Sequence, residues 1–149
     1  MPILSTAAEN ASLNNDYGAT KGPNAAAAHQ VALFIGDPAG DGIEVPNTTV
    51  TEEFPLGTPN GYARVVLTNN GTNWAAAADG QKDSAIAVEF PDALEAYPGT
   101  VTHFALFDNA DGVTGWDCAP LLDPLDITEA GDGVSVALTV FYSDSVVAE

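Results

Sequence analysis

The chain has 149 residues, long enough for one domain that buries a sizeable core. It carries 21 Asp plus Glu against three Lys plus Arg, for a formal net charge of -18. Three scattered cations cannot track a phosphate backbone, which excludes nucleic-acid binding and disfavours anionic membranes. A single cysteine, Cys118, excludes an internal disulfide.

The opening Met1-Pro-Ile-Leu-Ser-Thr6 has no basic segment followed by an apolar stretch, and no run approaches the ~20 apolar residues that span a bilayer. The chain reads as a soluble protein made in the cytoplasm. Thr6-Ala-Ala-Glu9 is a capping-box pattern, and no breaker follows up to Leu13, which predicts a short helix from Ala7 to Asn14. A helix of that length needs something to pack on, its own domain or a neighbouring subunit. Tyr17 to Asn24 reads as a loop, so residues 1–26 are expected to form an N-terminal helix and arm that docks on other subunits through Thr6, Glu9, Leu13 and Tyr17.

From Ala27 onward the pattern is strands and turns, and residues 27–149 are expected to form a single β domain. His29–Ile35 is a strand, closed by a loop with Gly36, Pro38, Gly40 and Gly42. Thr48–Glu53 is a short edge strand and Tyr62–Leu67 the next; Asn69-Asn-Gly-Thr72 supplies a hairpin-type turn. Trp74–Ala78, Ala85–Phe90, Val101–Phe107, Trp116–Leu121 and Val134–Tyr142 complete the set. About seven to nine short strands with no helical alternation predict an all-β fold, an antiparallel β-sandwich or jelly roll. Val101–Phe107 is apolar on both faces and so is predicted to be central, with cover on two sides.

Catalytic chemistry finds little support. His29 and His103 are the only histidines, and neither a G-x-S-x-G elbow nor a motif around Cys118 accompanies them. With this many carboxylates, pairs at glycosidase separations arise by chance, and Trp74 and Trp116 read as isolated core or corner residues. No catalytic or cofactor-binding residue is assigned. Asp37, Asp41 and Glu44 share a glycine-containing loop and offer the oxygen ligands that Ca²⁺ prefers, but the EF-hand spacing fails: Ala39 stands at its third position and Thr48 at its twelfth. Asp108, Asp111 and Asp117 form a second acidic loop of the same kind, and such residues are commonly turn formers facing water.

Gly99-Thr-Val-Thr-His-Phe-Ala-Leu-Phe-Asp108 resembles a segment of a family of small virion proteins of tailed phages, tail-fibre-like or minor structural proteins. Three further pieces agree with that family in the same order: Val31 to Pro38 with Gly42 to Val45, then Gly61 to Val65, then Ala87 to Pro91. The resemblance implies a compact β-rich module of the virion exterior and transfers no catalytic residue or cofactor; the expected partners are other virion proteins, capsid or tail subunits, and further copies of the chain in a homo-oligomer. Asn109–Pro124 departs from the family's short loop, and the chain has no fibrous repeat or coiled-coil shaft. The leading expectation is a non-enzymatic structural protein on the capsid surface, as decoration, or in the neck or tail. The alternative is a fibre-tip module that binds a host receptor or glycan through Trp116 and its loop. The acidity also fits a virus of a halophilic host, because molar salt screens carboxylate repulsion.

Overall fold

A computed structural model of the chain describes residues 6–17, 26–36, 60–110, 112 and 115–141. One helix, α1 (Thr6–Tyr17), precedes eight strands: β1 (Ala28–Phe34), β2 (Val65–Thr68), β3 (Gln81–Asp83), β4 (Val88–Phe90), β5 (Val101–Asp108), β6 (Gly115–Leu125), β7 (Val134–Val136) and β8 (Thr139–Phe141). Every pairing is antiparallel, and the architecture is an all-β sandwich with a short N-terminal helix. The expected strand over Thr48–Glu53 lies outside the described residues.

The larger sheet has the order β2-β1-β5-β6. Its centre is where the sequence requires it: Phe104, Ala105, Leu106 and Phe107 of β5 are all buried. Val31, Leu33, Phe104 and Leu106 face the main core, whereas Ala32, Phe34, Ala105 and Phe107 form a second buried cluster on the opposite face. Strict alternation would put Val101 with Ala105 and Phe107. It joins the main core instead, because the β5–β6 register shifts between Val101 and His103, as at a β-bulge. β6 is an edge strand, the position where proline is tolerated in a sheet, and it carries Pro120 and Pro124.

The opposing layer is one interrupted ribbon. β3 pairs with β8 and β4 with β7, and the two segments are joined by Ser84 N donating to Leu138 O at 2.8 Å and Leu138 N donating to Ser84 Oγ at 2.9 Å. The expected strand Val134–Tyr142 is therefore two strands with a break at Ala137 and Leu138, and the expected strand Trp74–Ala78 contributes only isolated bridges at its ends. The hairpin into β3 turns at Asp79-Gly80, where φ is 52° and 74°; Ala78 and Gln81 exchange backbone hydrogen bonds at 2.9 Å across it. Two central residues with positive φ are what a type I′ hairpin demands. The Asn69–Thr72 turn is instead built on Asn70, whose Oδ1 accepts from Thr72 N and Asn73 N.

Candidate functional site

Among the described residues, a dense polar construction forms the seat of α1. Leu13 and Tyr17, one helical turn apart, insert into the main core. Asn10 and Asn14 form a parallel polar row on the same helix: Asn10 Oδ1 accepts from Gly80 N at 2.9 Å, and Asn14 Oδ1 accepts from Ala77 N at 3.0 Å and from Lys82 Nζ at 2.7 Å. The helix is thus clamped to the Asp79-Gly80 hairpin. Lys82 is itself buried and also donates to Ala75 O at 2.6 Å; burial beside neutral acceptors holds its pKa below the usual 10.5.

Beneath α1 lies a closed aromatic and amide network. The Tyr17 ring packs against His29 at 5.3 Å and against Trp74 at 5.0 Å. Trp74 Nε1 donates to Asn69 Oδ1 at 3.0 Å, and because an indole N–H can only donate, this fixes which way the Asn69 amide points. Asn69 Nδ2 therefore donates, to Ala26 O at 3.0 Å and to His29 Nδ1 at 2.7 Å. His29 Nδ1 is then an acceptor, so the ring is the neutral tautomer with its proton on Nε2. Burial pushes the Tyr17 hydroxyl well above 10.0, reinforced by the negative charges of Asp117 and Asp16 and by the hydrogen bond it makes to Asp117.

Arg64 occupies the opposite face of the large sheet. Its guanidinium carbon lies 4.2 Å from the Phe107 ring centroid, and Nη1 donates to Gly112 O at 2.6 Å and to Gln30 Oε1 at 3.3 Å. It covers the edge of the second buried cluster and ties the β5–β6 turn to β1.

These placements correct one sequence expectation. Leu13 and Tyr17, expected at contacts with neighbouring subunits, are 3 % exposed and belong to the chain's own core. The physical reason is that a marginal helix is stabilised by whichever apolar surface is nearest, here Trp74 and the sheet. Thr6 begins α1 and Glu9 lies within it, Trp116 is the second residue of β6, and Asp37, Asp41 and Glu44 lie outside the described residues. Of the second acidic loop, Asp108 caps a turn by accepting from Ala110 N, while Asp117 accepts from Cys118 N and from Tyr17. Among the described residues no group of three or more His, Cys, Asp or Glu is placed to hold a metal ion. His103 Nδ1 shares a hydrogen bond of 2.9 Å with Thr102 Oγ1, and Cys118 is half-buried against the second cluster. The Asn69–His29–Trp74 network had no signature in sequence, since its members are separated by loops and strands.

Residues 3–139 match a family model described as Podophage GP4 fiber I protein gp80. No curated protein matches the chain.

Proposed function

We propose a role that starts from membership: this chain belongs to the Podophage GP4 fiber I protein gp80 family, the proteins of a tailed-phage fibre, and resides in the virion. Within the particle it serves as a subunit built into a tail fibre, holding its place by contacts with other virion proteins and performing no catalysis. The observation that carries this reading is where the reactive side chains are engaged. His29, Tyr17 and Trp74 are buried in the seat of α1, and Lys82 and Arg64, the described cations, hold hairpin, helix and sheet together. They support a rigid module, and these side chains are engaged within the fold rather than presented at its surface.

Purified protein is expected to hydrolyse neither peptides, esters nor polysaccharides, and to leave phage adsorption unchanged when added to host cells in excess. Competition for adsorption would move the receptor contact onto this chain, and turnover abolished by His103→Ala would overturn the non-enzymatic reading.

The acidity has a separate consequence. At ~0.01 M salt the screening length is about 30 Å and the surface carboxylates repel one another; at ~1 M it is about 3 Å and the repulsion is largely lost. The melting temperature is therefore expected to rise with NaCl more than with a neutral solute at equal osmolarity. A flat or falling response would remove the proposal that the acidity suits a salt-rich host.

A further inference from the structure

Among the described residues, large apolar side chains are buried or partly buried, with five exceptions: Ile35, Val66, Ile86, Leu94 and Leu122. Two of them, Ile35 and Leu122, flank the entry to β5, and a third, Leu94, lies in the segment that leads to it. Ile35 follows the end of β1 and lies over Gly99, where an added Cβ would come within 2.6 Å of Ile35 Cγ2. Leu122 stands on the other side of the same entry, in the excursion of β6 between Pro120, paired with His103, and Leu125, paired with Val101. Leu94 belongs to the segment that leads from β4 into β5 and lies over Gly61, where a Cβ would meet Leu94 Cγ at 2.8 Å. The two glycines let these side chains lie against backbone, and Tyr97 N donating to Ile127 O at 3.0 Å fastens the segment to the chain that follows β6. Leu94 and Leu122 are nonetheless 68 % and 74 % exposed. Val66, in β2 opposite Gln30, and Ile86, between β3 and β4, lie elsewhere.

The border of this end is acidic. Asp92, Glu95, Asp123 and Asp126 are all exposed there, and Asp126 accepts a hydrogen bond from Thr100 Oγ1. Arg64 and Lys82 are held at the Phe107 face and under α1. A second copy docked symmetrically through this end would bring the acidic border against itself, on top of a formal charge of -18 per copy. Apolar side chains ringed by one sign of charge fit a partner with an apolar patch ringed by the other.

We propose that the end of the sandwich carrying Ile35, Leu94 and Leu122 is the docking surface by which the chain joins the fibre, and that its occupant is another virion protein whose contact patch is bordered by lysine and arginine. The proposal rests on the fibre-subunit reading and adds the surface and the chemistry of the partner.

The test is the number of copies per purified particle, measured by quantitative mass spectrometry, in phage carrying Leu94→Glu with Leu122→Glu, or Asp92→Lys with Glu95→Lys. Both pairs are exposed, and a melting temperature within a few degrees of the parent protein shows that each variant folds. Loss of two central contacts is expected to lower incorporation about tenfold or more, and charge reversal at the border to lower it as well. Val66→Glu with Ile86→Glu is expected to incorporate normally. Parental copy number in both test pairs would overturn the proposal, as would equal loss in the Val66/Ile86 pair. Self-association of the purified parent protein that disappears with Leu94→Glu and Leu122→Glu would overturn the choice of occupant, making a second copy the partner. Absence of the parent protein from purified particles would instead defeat the fibre reading itself.

Discussion

Replacing Tyr17 by alanine is expected to lower the unfolding free energy by about 3–5 kcal/mol, the usual cost of truncating a buried aromatic. For a chain of 149 residues that corresponds to a fall in melting temperature of roughly 10 °C. The ring is 3 % exposed and packs on both His29 and Trp74, so its removal opens a cavity that those side chains cannot fill without breaking the Asn69 network. A change below about 1 kcal/mol would mean that α1 is not part of the folded core. The same residue sets an alkaline limit. Its native pKa is raised above 10.0, so the unfolded state loses the phenolic proton first. The stability linked to this group is complete below pH 10 and is lost as pH rises above it. Tyr97, also raised by burial, acts in the same direction. Lys82, whose native pKa is lowered by burial, acts oppositely, but only up to 10.5, above which of these three groups only the tyrosines still titrate differently in the two states. Stability is thus expected to fall above about pH 10, and Tyr17→Phe to flatten that fall in denaturant titrations at graded pH.

Asn69→Ala is expected to be nearly as severe. One amide satisfies Trp74 Nε1, Ala26 O and His29 Nδ1, all within the buried region. Withdrawing it deprives three buried groups of a partner at about 1–3 kcal/mol each before relaxation, so a net loss of about 3 kcal/mol or more is expected. Asn69→Asp separates the roles: it retains an acceptor for the indole but loses both N–H donors and places a carboxylate in the core. It should therefore destabilise at least as much as alanine at neutral pH. Urea unfolding followed by tryptophan fluorescence checks both variants, and a loss under about 1 kcal/mol for alanine would show that Asn69 does not hold the network.

What the sequence made legible follows from how local each signal is. The central position of β5 was readable because apolar residues on both faces of a strand have no other physical solution, and the presence of α1 was readable because helix signals are local in sequence. The seat of that helix was harder to read. Leu13 and Tyr17 are spaced as an i, i+4 pair, yet nothing local says that Trp74 and His29 will be their partners rather than a neighbouring subunit. β3 was missed because Gln-Lys-Asp has no strand-like composition. The Asp79-Gly80 dipeptide beside it is the local hairpin signal, both residues having positive φ. The break between β7 and β8 is fixed by Ser84 across the ribbon, a tertiary contact with no trace in the alternating Val134–Tyr142 pattern. For the docking end the exposed leucines were invisible, since Leu94 and Leu122 differ from buried leucines only in where the chain carries them.

The central claim is a fibre subunit held in the particle by protein contacts. Cryo-electron microscopy of the intact virion, with an antibody fragment raised against the folded protein as a fiducial, tests it most directly. Density for the fragment is expected on the tail fibres, at a fixed position along each. Fragments distributed over the capsid lattice would contradict it and make the chain a decoration protein.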